Sequence, residues 1–395
     1  MGEAKEKAER ARSAAVSLRR LDGARKTEVL AGVASALREP RAIKDVLEAN
    51  KVDMTEAEAQ GVASAVLDRL ALDEERIRQM ADSVEEIAAL DDPVGEVVGG
   101  WRLPNGIELR KVRVPLGVVG VIYESRPNVT VDAFALCFKT SNAVVLRGSG
   151  TALRSNIALV RILRKGLDSY AIDPDCVQLI EDPSHAAAKE MMTARGLIDL
   201  LIPRGSQAFI DEVVANSKVP VIETGAGNCH VYVDKAADLE KALAIVLNSK
   251  LQRPYVCNAA ETLLVHSAIA DAFLPEVLAG LASEGVELRC DSRSLEIAKS
   301  AGISGAVEAK ESDWGTEFLD KILAVGVVDS LDAAIDHINR WSTKHTESIV
   351  TEDLGAARRF CEEVDSAVTM VNVCTRFTDG GLFGFGAEIG ISTQK

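Results

Sequence analysis

From residue 116 onward the chain alternates short, almost wholly apolar runs with longer stretches of helical periodicity. That rhythm constrains the fold more than any other feature. Residues 116–123 are apolar without a polar alternate, the pattern of a strand covered on both faces. Residues 142–146 then read as a strand and 151–166 as a helix, 177–180 as a strand and 185–193 as a helix. Residues 199–202 and 219–222 read as further strands, with a helix over 206–216 between them. Strand and helix taken in turn imply βαβ crossovers and a parallel sheet, so the expected fold class is α/β. A second series of the same kind starts near Cys229 and runs to about Trp341, and 348–351 reads as one more strand.

The flanks differ. Residues 1 to about 90 carry strong helix formers with helical periodicity, as in 6–18 and 74–89, and offer no strand. Trp101–Leu103, then Pro104-Asn105-Gly106, then 107–114 predict a β-hairpin, with Asn-Gly favouring a primed turn. The glycine-rich segment 379–390 is expected to form loops and an exposed strand.

Composition removes several classes of function. The 395 residues suffice for two domains, and a 47% hydrophobic content can fill their cores. A net charge of -15 opposes broad binding to nucleic acid or anionic lipid, and 4% aromatics supply no stacking platform. No apolar run approaches a membrane span, and the charged, alanine-rich residues 1–20 are no secretory signal. Seven scattered cysteines without a CxxC pair suggest a reducing, cytoplasmic setting, and five histidines without ligand spacing indicate no metal.

Three segments could carry chemistry. Gly148-Ser149-Gly150 follows a strand and opens a helix, where amides and dipole favour a dinucleotide phosphate. Leu153 takes the third glycine position of the fingerprint, so an ordinary tight turn remains open. Gly205-Ser206 repeats the arrangement after the strand at 199–202. Among the cysteines, Cys257 stands out in Gln252-Arg253-Pro254-Tyr255-Val256-Cys257-Asn258-Ala259, just before a strand over 261–266. Lys250 and Arg253 could lower its pKa from about 8.5 toward thiolate. Cys137 and Cys176 look structural, while Cys290 and Cys361 lie in charged, surface-type segments. A small buried hydrophobe is the ordinary role of any one of them, and the residues alone leave both readings open. Glu223, before Thr224-Gly225-Ala226-Gly227-Asn228-Cys229-His230, could be a base or a solvated turn acid.

Taken together, Tyr123–Thr130, 139–149, Glu223–Asp234, Gln252–His266, His337–Val350 and Phe377–Lys395 resemble the gamma-glutamyl phosphate reductases, a branch of the aldehyde dehydrogenase superfamily. The resemblance covers nearly the whole chain. Ala334–Ile338 followed by Lys344–Ile349 looks like that branch's own signature. The resemblance implies Cys257 as nucleophile, Asn128 with the Cys257 N–H as oxyanion donors, and Glu223 as general base. It places Arg147, Gly148 and Ser149 at the adenosine ribose, Gly205 and Ser206 at the pyrophosphate and Glu317 at the nicotinamide ribose. Arg126 and Arg253 are candidates for the acyl phosphate, with a structural salt bridge as the alternative for each. Trp341 and Tyr255 depart from the branch's pattern, and that pattern continues beyond Gln394-Lys395.

The implied architecture has a Rossmann-like NADP-binding domain, an α/β catalytic domain and a small β oligomerisation flap. The first comprises 1–98, 114–224 and about 346–365, the second 225–345, and the flap 99–113 paired with 366–395. The implied reaction is NADPH-dependent reduction of L-glutamyl 5-phosphate to L-glutamate 5-semialdehyde with loss of phosphate through a Cys257 thioester, the second step of proline biosynthesis. A homo-oligomer (dimer or tetramer) and channelling from glutamate 5-kinase are also implied. NADPH is expected over NADH because Arg147 to Gly150 offer no carboxylate to repel a 2′-phosphate. A general aldehyde-oxidising dehydrogenase and an inactive scaffold are the alternatives, and intact Cys257, Asn128 and Glu223 speak against the scaffold.

Overall fold

In a computed structural model that describes residues 2–394, the apolar run after Gly117 is strand β3 (Val118–Tyr123), every side chain buried. It lies inside a four-stranded parallel sheet with β4 (Ala143–Arg147), β5 (Val177–Leu179) and β6 (Leu200–Arg204), in the order β5-β4-β3-β6. Helices α6 (Asn128–Lys139), α7 (Leu153–Ser169) and α8 (His185–Met192) make the crossovers, and α9 (Gln207–Asn216) follows β6. Covering on both faces explains why these strands carry no polar alternate.

Five helices precede the sheet: α1 (Glu3–Leu18), α2 (Gly23–Leu37), α3 (Pro40–Ala59), α4 (Ser64–Leu70) and α5 (Glu74–Ala89). On α1 the buried residues Ala4, Ala8, Ala11, Ala15 and Leu18 recur every three or four positions, a narrow stripe of small side chains that packs close. Asp22 and Asp73 cap α2 and α5 by accepting from Arg25 N–H and Arg76 N–H.

The hairpin forms as β1 (Val97–Arg102) antiparallel to β2 (Glu108–Val112). Its turn is not primed. Gly106 N–H donates to Leu103 O at 2.9 Å, which puts Pro104 second in the turn. Proline holds φ negative there, and the left-handed residue is Gly106 at φ +88°. The strand expected over 219–222 reduces to a bridge between Val221 and Leu201, because Pro220 has no N–H for a ladder.

The chain divides into two compact units, the first ending at Glu223 and the second beginning at Thr224. The second is built on a seven-stranded, wholly parallel sheet in the order β10-β9-β11-β8-β7-β12-β13. Its strands are β7 (Cys229–Val233), β8 (Ala260–His266), β9 (Glu287–Cys290), β10 (Ala306–Glu308), β11 (Ile322–Val328), β12 (Thr346–Val350) and β13 (Val368–Val371). The intervening helices are α10 (Leu239–Leu251), α11 (Ser267–Ser283), α12 (Ser292–Ser300), α13 (Leu331–Trp341) and α14 (Leu354–Glu363). Phe273, Leu274, Val277, Leu278 and Leu281 of α11 pack with Leu263, Val265, Leu288 and Val325 as the core of one face.

Three expectations are corrected here. Residues 346–365 do not join the cofactor unit, since β12 pairs with β7 in the second sheet. Among the described residues nothing from 366 to 394 pairs with the hairpin: β13 extends the same sheet beside β12 through the short crossover α14. The segment 379–390 forms turns and no strand. Cys290 is also buried, at the inward-facing end of β9. Among the described residues no helix is long and apolar enough to cross a membrane, and no cluster of metal-ligating side chains forms.

Candidate active site

In the second unit the chain leaves α10 at Leu251 and re-enters the sheet at Ala260, and Cys257 lies on the loop between. Pro254 cannot continue a helix, which frees this stretch to turn. The loop is tied down closely. Asn258 Nδ2 donates to Thr378 O at 2.8 Å, and Ala259 N–H to Val256 O at 3.0 Å. A Cβ on Gly227 would stand 1.4 Å from the Cys257 carbonyl oxygen, so only glycine lets the two backbones meet. The Cys229 thiol donates to that same carbonyl at 3.2 Å.

Burial separates the two thiols. Cys229 is fully buried, and burial drives its thiol well above the ordinary range, so it stays protonated. Cys257 is half-buried, the form a reactive thiol needs. Lys250 does not serve it as expected: its ammonium lies 2.6 Å from Glu261 Oε2, both side chains fully buried. Burial pulls the lysine down and pushes Glu261 up to about 7, each opposed by its partner's charge. The pair spans the nucleophile loop from α10 to β8, and Glu261 Oε1 accepts from Leu319 N–H at 3.1 Å. Glu317, two residues earlier, accepts from Gly227 N–H at 2.6 Å, its carboxyl raised by burial. Gly227 thus brings Glu317 and Cys257 together. Arg253 is exposed on the loop.

The first unit holds the other predicted residues at the carboxyl ends of its strands, where open parallel sheets bind ligands. Asn128 starts α6, exposed, with Nδ2 donating to Asp132 Oδ2 at 3.0 Å. Burial pushes Asp132 up to about 6 against that hydrogen bond. Arg126 is exposed on the loop after β3, and Glu223 is half-buried at the end of the unit. Ser149 Oγ lies 3.1 Å from Ser125 Oγ, joining the loops after β4 and β3. Gly148 accepts no side chain, since a Cβ would come within 2.2 Å of Asn156 Nδ2.

Arg147 and Ser149 line a cavity of about 400 Å³ together with Tyr123, Glu124, His185 and Lys189. Arg147 Nη2 donates to Pro183 O at 2.7 Å, which fixes the guanidinium at the wall while its Nε has no partner. Gly205 and Ser206 adjoin through Glu124, whose carboxylate accepts from Ser206 N–H at 3.1 Å. An acid therefore does reach this region, from the end of β3 rather than from the turn after β4. His185 and Lys189 were not singled out from the sequence. Their i, i+4 spacing on one helix was the available signal.

A family model described as aldehyde dehydrogenase family matches residues 2–295. The chain belongs to that family. The gamma-glutamyl phosphate reductase of Thermobifida fusca is 56% identical over 388 residues, 98% of this chain and 91% of that one. That of Moorella thermoacetica is 52% identical over 393 residues, 100% and 92% of the two chains. The crystal structure of the Thermotoga maritima gamma-glutamyl phosphate reductase matches with a TM-score of 0.94 at 46% identity, covering 100% of this chain and 94% of that one. This aldehyde dehydrogenase therefore falls in the gamma-glutamyl phosphate reductase branch, as the sequence motifs implied. An engineered glycolyl-CoA reductase with bound NADP+ shares the fold at 17% identity and a TM-score of 0.67, covering 99% and 90% of the chains. Aldehyde dehydrogenases are oxidoreductases that use nicotinamide cofactors and small-molecule substrates.

Proposed function

We propose that this chain reduces L-glutamyl 5-phosphate to L-glutamate 5-semialdehyde with NADPH in the cytoplasm, releasing phosphate in the second step of proline biosynthesis. The observation that carries the reading is the half-buried Cys257 on a loop held by Gly227 and Cys229, in a chain 56% identical to a gamma-glutamyl phosphate reductase. Glu223 takes the thiol proton, and Cys257 sulfur attacks the acyl carbon. Asn128 Nδ2 and the Cys257 N–H donate to the oxyanion, about 2.7–4 kcal/mol per donor. The carbon–oxygen bond to phosphate then breaks with its electron pair on the phosphate, leaving a thioester. Glu317 would hold the nicotinamide ribose of NADPH, which when bound would supply the hydride for the thioester carbonyl. Collapse returns the Cys257 thiolate and frees the aldehyde. Arg253 and Arg126 contact the acyl phosphate. An acyl phosphate is a reactive anhydride, so direct handover from glutamate 5-kinase fits this chemistry.

The test is reduction of NADP by glutamate 5-semialdehyde in the reverse direction. Turnover should require inorganic phosphate. Turnover at full rate without phosphate would mean that water resolves the thioester and that the enzyme oxidises aldehydes generally.

For the cofactor, Arg147, His185 and Lys189 around one cavity favour a 2′-phosphate, with Ser149 donating from its hydroxyl and Gly148 letting the ribose approach. Gly205 and Ser206 take the pyrophosphate at the start of α9, displacing the Glu124 carboxylate. Arg147→Ala should raise the KM for NADPH roughly 10- to 100-fold and that for NADH far less. Equal losses, or a wild type that favours NADH, would count against NADPH.

The hairpin carries the proposal of a homo-oligomer, dimer or tetramer. Trp101, Ile107, Leu109 and Val112 are exposed on it, and a two-stranded ribbon is marginal in water without a partner. Ile107→Asp with Leu109→Asp should shift the sedimentation profile toward monomer. An unchanged profile would remove the hairpin from the interface.

A further inference from the structure

We infer that Arg376 forms, with Arg253, the anion site that grips the phosphoryl group of the acyl phosphate beside Cys257. The inference rests on the reaction proposed above and names a residue of its substrate site. Arg376 sits in a short 3₁₀ turn, Thr375–Phe377, that is stitched to both sides of the nucleophile loop. Thr375 N–H donates to Ser249 Oγ of α10 at 3.2 Å, ahead of the loop. Asn258 Nδ2, next to Cys257, donates to Thr378 O at 2.8 Å. Thr375 and Thr378 are both buried, so Arg376, between these two anchors, is carried at a fixed place against the loop.

Among the described residues the guanidinium has no counter-ion to explain it. Its Nε is buried without a hydrogen-bond partner, and neither Arg376 nor Arg253 forms an ion pair there. Burial and the like charge of Arg253 both pull the Arg376 guanidinium down, while Cys257, Cys374 and Asp379 act the other way. Arg253 on the nucleophile loop and Arg376 on the turn anchored to that loop bring two like charges to it without a carboxylate ion pair, an electrostatically incomplete arrangement. A phosphate dianion completes it, because each guanidinium offers a planar pair of donors to phosphate oxygens. In the forward reaction the bond from acyl carbon to phosphate oxygen breaks, and its electron pair stays on an oxygen already held by the two arginines. In reverse the same site presents phosphate to the thioester.

The test uses the full chain, inorganic phosphate as the probe, and the variants Arg376→Met and Arg376→Lys. With NADP and semialdehyde saturating, Arg376→Met should raise the KM for phosphate roughly 10- to 100-fold, and Arg376→Lys by less, with the KM for NADP unchanged in both. Phosphate should also slow alkylation of Cys257 by iodoacetamide in the wild type and not in Arg376→Met. An unchanged KM for phosphate in a variant that still binds NADP overturns the assignment. So does an equal loss for phosphate and NADP in both variants, which would mark a structural role. A wild type that turns over without phosphate defeats the proposed reaction, and the protection measurement then decides the anion site by itself.

Discussion

Cys257→Ala is expected to abolish reverse turnover, by roughly 10⁴- to 10⁶-fold, while NADP binding and the fold persist. Four of the other thiols are closed to the substrate. Cys137, Cys176, Cys229 and Cys290 are buried, and burial pushes the Cys137 thiol to about 12 and that of Cys290 to about 11. Cys361 is exposed on α14 rather than on the nucleophile loop, and Cys374 is half-buried ahead of the Thr375–Phe377 turn. Cys229 is the informative control, because its Sγ touches the Cys257 carbonyl. Cys229→Ala removes one weak S–H donor and should lower kcat by less than about tenfold. Activity that survives Cys257→Ala and disappears in Cys229→Ala would reverse the assignment.

The largest stability effect is expected at Lys250. Its ammonium and the Glu261 carboxylate are both fully buried at 2.6 Å, so removing one leaves the other uncompensated. Lys250→Met should destabilise the second unit by about 3–5 kcal/mol in denaturant unfolding. The double variant Lys250→Met, Glu261→Leu should recover much of that loss, since apolar residues of similar volume can replace a buried pair. Recovery will be partial, because Leu319 N–H loses its acceptor on Glu261 Oε1. A single variant within about 1 kcal/mol of the wild type would mean that water reaches the pair.

The parallel sheets were legible because a strand covered on both faces needs an unbroken apolar run, as at β3. Sheet membership was not. Nothing in Thr346–Val350 tells which sheet it joins, because that choice is made by its pairing with His230–Val233 more than a hundred residues away. The turn at Pro104 was readable and misread: Asn-Gly argued for a primed turn, but the proline before it had already fixed φ. Cys290 was hidden by Glu287 and Arg289, which alternate outward while Leu288 and Cys290 point inward. Periodicity of two contained that answer. Lys250 looked like a cation free to act on Cys257, and only the fold reveals Glu261 opposite it. Arg376 gave no local signal at all, since its place depends on anchors at Ser249 and Asn258, over a hundred residues earlier.

The strand orders set how each unit can assemble as the chain leaves the ribosome. In the first unit β4 finds β3 already made, β5 finds β4, and β6 finds the free edge of β3, so its sheet grows by simple accretion. The second unit cannot grow that way. After β7 and β8 pair, β9 and β10 emerge with no sheet to join, since β11 must come between β9 and β8. At about 5–20 residues per second the delay from Cys290 to Val328 lasts a few seconds. During that interval Leu288, Cys290, Ile297 and Ala298 wait without the β11 and β8 side chains that cover them in the finished core.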